Sequence, residues 1–230
     1  GSSGPVPIPS YVEDKIETAW ERDEIMSRVS KTYIKGIDRV AVEMSADPAS
    51  IHAEGDDEPD EEKIKLAIVQ LVPQTIKKWI TVSTEAMDLK GTAFLDYIYD
   101  EIEYQIVKYA AGMAVDNVLD APTSGTSAPT VSEMEVDQLA LTDIINAIGS
   151  LSSGARNLVF VANRATIAAY QALAMGANYA VDVFAGITVV PCDHFSPYAS
   201  ASGAYALVGD LGAIRANYPN GDEVKFVFDE

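Results

Sequence analysis

Apolar and polar residues alternate along two stretches of the N-terminal half, and the alternation predicts a long β-hairpin. In the first stretch, Gly36 to Met44, the residues Val40, Val42 and Met44 alternate with Arg39, Ala41 and Glu43. A period of two marks a strand covered on one face. Asp47-Pro48 then breaks it. The second stretch, Ile64 to Thr84, opens on Ile64, Leu66 and Ile68, is interrupted by Pro73, and resumes with Ile76, Lys78, Ile80 and Val82 on one face. A proline in that place predicts an edge position or a bulge. Between the two runs lies a tip, Asp47 to Glu62, with seven acidic residues among the nine from Glu54 to Glu62. Such an arm carries apolar strand residues with little of its own chain beside them. Either the rest of the fold covers it or another subunit does.

The pattern then changes to a helical one. Thr84 to Asp88 predicts a helical stretch broken at Gly91, and Phe94 to Leu119 a long helix. Ile98, Ile102, Ile106, Tyr109 and Met113 recur at helical spacing on one face. Asp96, Asp100 and Glu103 mark a solvated face on the favourable side of the helix dipole. Ala110, Ala111, Gly112 and Ala114 are small, so a neighbour can pack closely there. About 26 residues at roughly 1.5 Å each make a rod on the order of 39 Å, a backbone on which other elements hang. Upstream, Pro5, Pro7 and Pro9 deny a helix, Tyr11 to Met26 can hold a short one, and Arg28 to Ile34 reads as extended.

Asp120 to Thr130 is a Pro/Gly/Ser/Thr-rich linker and a candidate boundary. Beyond it, Val136 to Ile148 predicts an amphipathic helix with Leu139, Ile144, Ile145 and Ile148 inward. Asn157 to Val161 predicts a short apolar strand, and Asn163 an N-cap for a helix from Arg164 to Met175 that ends at Gly176. Ile187 to Val190, Tyr205 to Val208 and Val224 to Phe228 predict further strands, making an α+β or α/β lobe.

Composition narrows the classes. The chain has 230 residues, 48% hydrophobic and 22% charged, enough for a real core. Its net charge of −19, with 16 basic residues against 35 acidic, argues against a dedicated nucleic-acid binder, which needs clustered Lys and Arg. No apolar run approaches the roughly 18 residues that span a bilayer, so no membrane partner is expected. The first residues lack the basic start and apolar stretch of a signal peptide. Cys192 is the single cysteine, which rules out an intrachain disulfide and fits a reducing compartment. It follows Pro191 at the end of an apolar run and reads as a small buried thiol rather than a nucleophile.

Candidate chemistry is thin. The acidic tip has calcium-type oxygens but not the spaced Asp/Asn pattern with Gly and a distant Glu, and reads as a solvated loop end. His52 and His194 are the two histidines, and neither sits in a zinc-binding spacing. Cys192-Asp193-His194 with Ser196 contains hydrolase residue types, yet neighbours along one segment point apart, whereas triad members come from separate elements. Gly209-Asp210-Leu211-Gly212 reads as a plain turn. Trp20 and Trp79 are interface anchors or core fillers. No catalytic, cofactor-binding or metal-binding residue is assigned. The candidate residues are inter-subunit contacts: Val40, Val42, Met44, Ile64, Leu66 and Trp79.

The order of these parts resembles the major capsid protein family of tailed bacteriophages, whose fold encapsulin shells share. The likeness runs over essentially the whole chain. It takes in the proline-bearing arm Gly4-Pro5-Val6-Pro7-Ile8-Pro9, the hairpin, the return strand and start of helix from Lys77 to Asp88, and the long helix. It continues through the strand-into-helix segment Leu158 to Thr166 and the segment Phe184-Ala185-Gly186-Ile187-Thr188-Val189-Val190-Pro191. The resemblance implies an α+β capsid fold with an N-terminal arm (1–35), an extended hairpin loop (36–85), the spine helix of a peripheral domain (86–121) and an axial domain (122–230). It further implies a structural, non-enzymatic protein without a cofactor. Its partners would be copies of itself, as hexamers and pentamers of an icosahedral head around double-stranded DNA, with portal, scaffolding or decoration proteins besides. It would reside in the virion capsid after assembly in the host bacterial cytoplasm.

An encapsulin-type compartment is the alternative within the same fold. A small hydrolase using Asp193, His194 and Ser196 and a free acidic binding module are the alternatives outside it. Some family members crosslink loop lysines to neighbours. The tip from Asp47 to Glu62 has no lysine, with Lys63 and Lys65 beyond it, so a noncovalent clasp is expected. By this resemblance the chain is expected to start after the place of the family's scaffolding segment. It ends at Glu230 where the family continues with further strands, so the lobe is expected to lack covering strands.

Overall fold

A computed structural model describes residues 23–35, 38–45, 65–71, 76, 84–125, 130–177 and 182–217. Its organising element is the strand Leu158–Ala162, whose sequence Leu-Val-Phe-Val-Ala is apolar throughout. An unbroken apolar strand requires cover on both faces. It lies at the centre of a three-stranded sheet, parallel to Thr188–Pro191 and antiparallel to Ala206–Asp210. In chain order the strands are β1 (Ser30–Thr32), β2 (Asp38–Ser45), β3 (Lys65–Leu71), β4 (Leu158–Ala162), β5 (Thr188–Pro191), β6 (Ala206–Asp210) and β7 (Arg215–Asn217). The helices are α1 (Thr84–Leu119), α2 (Asp143–Gly149) and α3 (Arg164–Gly176).

Side chains along β4 alternate between the faces, and so divide the interior in two. Val159 and Val161 enter a core closed by Val107, Ala111, Ala114 and Val115 of α1 and by Ile25, Met26 and Val29. Phe160 and Ala162 enter a second core with Ile144 of α2, Tyr170 of α3 and Val183. There Phe160 meets Tyr170 edge-on, with centroids 5.6 Å apart and planes at 90°, a favoured aromatic geometry. The Tyr170 hydroxyl donates to Asp143 Oδ2 at 3.0 Å and lies 3.1 Å from that of Tyr205. Since a phenol has one proton, Tyr205 is the donor of the second bond.

Asn163 caps α3 as expected, its Oδ1 accepting the Ala165 N–H at 2.9 Å. Asp210 closes the turn at Gly209–Gly212: Oδ1 accepts the Gly212 N–H at 2.9 Å and Oδ2 the Arg156 N–H at 3.0 Å.

Several expectations are corrected. The long helix is one element of 36 residues, running through Gly91 instead of breaking there. One interior glycine costs about 1 kcal/mol, less than stopping the helix and nucleating a new one. The rod is accordingly about 54 Å long at 1.5 Å per residue. Its buried side chains, Val107, Ala111, Ala114 and Val115, lie roughly opposite the stripe Ile98, Ile102, Ile106, Tyr109 and Met113 on a 3.6-residue repeat. Tyr109 is 60% exposed. The helix thus has two apolar faces, and the smaller residues face the core because they let the rod approach the sheet.

The amphipathic helix expected from Val136 is confined to Asp143–Gly149, and Ile145 is exposed. Asp143 is buried and its Oδ2 also accepts the Ala140 N–H at 2.8 Å, a local bond that competes with helical hydrogen bonding upstream. Of the expected descending strand, Lys65–Leu71 is a strand and Thr84, expected at its end, opens α1, while most of the stretch between them lies outside the described residues. Strand β7 is an addition the alternation did not reveal. It pairs in parallel with β1, Ser30 facing Arg215 and Thr32 facing Asn217. The strand expected at Val224 to Phe228 and the helix expected from Tyr11 lie outside the described residues, except for the latter's last turn.

Cys192 is buried as expected, its N–H donating to the Ala162 carbonyl at 2.9 Å. Burial pushes its thiol pKa up, and burial together with the neighbouring Tyr205 hydroxyl does the same for the Tyr170 phenol. Both shifts favour the protonated form in the folded chain. Their contribution is complete below the unfolded values, about 8.5 for a thiol and about 10 for a phenol, and fades as pH rises beyond them. Stability in urea should therefore decline on the alkaline side, and Cys192 should resist a thiol reagent at pH 8 until the protein unfolds. Rapid labelling of the native protein would contradict its burial. Phe160→Ala should cost about 3–5 kcal/mol, read as a lower denaturant midpoint; a loss under about 1 kcal/mol would mean the second core collapses around the gap.

Candidate assembly surface

Strands β2 and β3 form a two-stranded antiparallel hairpin in which Asp38 faces Leu71, Val40 faces Val69 and Ala41 faces Ile68. Val42 stands opposite Ala67 and Glu43 opposite Leu66. The register then shifts between Glu43 and Ser45, which makes Met44 the extra residue of a bulge. Neither strand pairs with a third among the described residues. Their main contacts among the described elements are with each other. Both edges are thus unpaired there, a surface open to association.

The two faces differ. On one, Asp38 is buried and Val40 and Leu71 are half-buried. On the other, Arg39, Ala41, Ile68 and Gln70 are exposed, Ile68 to 69%. Fully burying an isoleucine side chain is worth roughly 1.5–3 kcal/mol, so this face has something to gain from a covering surface.

At the root of the hairpin Asp38 is 4% exposed and 3.1 Å from Arg215 Nη2 of β7. The Thr32 hydroxyl of β1 lies 3.2 Å from the same carboxylate oxygen. The Asn217 side chain holds the next turn of chain: its Oδ1 accepts the Ile34 N–H at 2.8 Å and its Nδ2 donates to the Ile34 carbonyl at 2.8 Å. In effect an amide side chain extends the β1–β7 ladder past its last backbone pair.

Of the contact residues named from the sequence, Val40 lies on the half-covered face, Val42 and Leu66 lie in the paired strands, and Met44 is in the bulge. Ile64 and Trp79 lie outside the described residues, as do Trp20, His52 and the acidic tip. Sequence reasoning passed over two residues of this surface. The alternation puts Ile68 in the strand without marking it as a contact. Asp38 carried a signal, because it is a carboxylate on the same alternation phase as Val40 and Val42.

The hydrolase residue types do not converge. His194 Nε2 bonds Asp116 Oδ1 at 2.6 Å across to α1, and no hydrogen bond joins it to Ser196. An added Cβ at Gly112 would lie 2.9 Å from His194 Nδ1, so the glycine admits the ring against the helix. Lys108 Nζ is 3.8 Å from Asp193 Oδ2 beside it. Both pairs are substantially exposed, and such pairs contribute about 0–1 kcal/mol; they orient the 192–195 turn on α1. Among the described residues no group of three His, Cys, Asp or Glu side chains is arranged to hold a metal ion.

The model of the phage capsid family matches residues 4–227. Among solved structures the chain is similar to one described as "Capsid of empty GTA particle computed with C5 symmetry", with 15% identity and a TM-score of 0.57, over 92% of this chain and 78% of that one. At that identity the likeness concerns the fold alone, and it agrees with an α+β capsid fold. No curated protein matches. A family match spanning the arm, the hairpin, the long helix and the sheeted lobe settles the family: this chain belongs to the phage capsid family.

Proposed function

We propose that this capsid shell protein assembles as hexamers and pentamers of an icosahedral phage head enclosing double-stranded DNA. The observation that carries the reading is the hairpin, two strands that among the described residues are unpaired at both edges, with Ile68 69% exposed on the open face. A lone two-stranded hairpin is marginal in water, and a neighbouring subunit supplies the surface it lacks. Val40, Val42, Met44, Ile64, Leu66 and Trp79 are proposed as contacts in that overlap, joined by Ile68. The arm, hairpin, spine and axial divisions at 1–35, 36–85, 86–121 and 122–230 serve this reading, the hairpin reaching out and the spine carrying it.

The charge supports the DNA-enclosing part. A net charge of −19 repels phosphate, so the inner wall would let DNA slide during packing rather than hold it. The cohesion of the shell would then reside in protein–protein contacts. Portal, scaffolding and decoration proteins are its expected partners, and the host bacterial cytoplasm its place of assembly.

Negative-stain microscopy and light scattering of the full-length protein test this: closed shells or capsomers are expected, and monomers at all concentrations would overturn it. Ile68→Glu should keep the thermal midpoint of the free subunit but reduce assembly several-fold, whereas Ile68→Val should assemble normally. Wild-type assembly by Ile68→Glu would remove the hairpin face from the interface. Assembled shells should run as a single subunit band on a denaturing gel, and a ladder of multiples would refute the noncovalent clasp.

A further inference from the structure

We propose that Asp38 is the positioning residue of the hairpin, fixing the angle at which the arm leaves the subunit and hence whether it meets its neighbour. The inference rests on the assembly role proposed above. Among the described elements the hairpin packs chiefly on itself, so its direction depends on its root. There Arg215 of β7 and Thr32 of β1 converge on one oxygen, Asp38 Oδ2, at 3.1 and 3.2 Å. The two groups come from adjacent strands of a separate small sheet, whose register is set by Ser30 facing Arg215 and Thr32 facing Asn217. A guanidinium and a hydroxyl standing on one fixed base hold the carboxylate against that small sheet.

Burial makes the anchor stiff. Asp38 is 4% exposed, and a carboxylate removed from water is held to its partners because leaving them means losing compensation without regaining hydration. Arg215 is 36% exposed, so its guanidinium stays partly solvated while it closes over the carboxylate. Thr32 also lies 3.0 Å from Asn217 Oδ1. Its single proton therefore chooses between Asp38 and Asn217, which leaves Arg215 the constant partner.

The lever arm gives the anchor its consequence. Eight strand residues at about 3.3 Å each carry the arm about 26 Å from its root, so a tilt of roughly 10° moves its far end by about 4–5 Å. Side chains lose contact beyond about 4.5 Å. A small loss of angle at Asp38 would therefore undo contacts at the other end of the arm without altering any residue that makes them.

The test measures angle and assembly separately. In the full chain with Cys192→Ala, spin labels at Ile68→Cys on the hairpin and Ser153→Cys on the body report the intramolecular distance by pulsed electron resonance. The parent should give one narrow distribution, Asp38→Ala a clearly broader one, and Asp38→Asn, which keeps hydrogen-bonding capacity, one between them. Unlabelled Asp38→Ala should assemble several-fold less well than the wild type. Asp38→Ala removes the buried charge rather than orphaning it. If it still fails to fold by circular dichroism, Asp38→Asn and Thr32→Val take its place in both measurements. A residue that only stabilised the subunit would lower the thermal midpoint and leave the distance width unchanged, and that result overturns the proposal. So does a parent distribution that is already broad. If the wild type never assembles, the shell reading falls, and the distance measurement still decides the role of Asp38.

Discussion

The central strand of the three-stranded sheet must be covered on both faces, and the arrangement of nearly everything else follows from that requirement. Val159 and Val161 face one way and Phe160 and Ala162 the other, and each pair is at most 1% exposed. No single layer can satisfy such a strand. The chain meets the demand with α1 and the 23–29 segment on one side and α2 and α3 on the other. The long helix is thereby fixed against the sheet, and its 36 residues extend well beyond the core it closes.

That fixation uses the small side chains of α1. Ala111 and Ala114 let the helix approach the sheet, and Gly112 lets the His194 ring lie against it. The larger apolar residues, Ile98, Ile102, Ile106, Tyr109 and Met113, are left half-buried or exposed. Close approach won over large apolar area because dispersion falls away steeply with separation. The two cores differ in kind as well. The first is apolar throughout, aliphatic apart from Met26, Cys192 and Phe195. The second holds a polar chain from Asp143 through Tyr170 to Tyr205, in which the buried carboxylate is satisfied by a phenol and a backbone amide. Unsatisfied, such a group would be costly; satisfied, it fixes the mutual placement of α2, α3 and β6.

At the edge of the first core, against which Ala216 packs, the β1–β7 pair forms a small platform. It brings Thr32 and Arg215, far apart in sequence, to one buried oxygen at the start of the hairpin. The body is organised by apolar burial and the start of the hairpin by a charge pair. The division has physical sense: apolar contact is strong but indifferent to direction, while a charged, hydrogen-bonded contact is directional.

Much of this was legible in the residue pattern. Alternation at Val40 and Val42 marked β2, the apolar run before Asn163 marked β4, and Asn163 itself marked the start of α3, because each depends on short-range geometry that neighbouring residues impose. The buried state of Cys192 and the family likeness were legible for the same reason, as ordered local patterns. The tertiary structure decided what periodicity leaves open. It chose the small face of α1 over the large one, carried the helix through Gly91, shortened the helix at Asp143 and paired β7 with β1. It also turned Asp38 from a polar residue in an apolar phase into the root of the arm. Several of these depend on partners distant in sequence, such as Tyr170 for Asp143 and Arg215 for Asp38. Local propensities differ by about 1 kcal/mol or less per residue, so burial and pairing across the fold outweigh them.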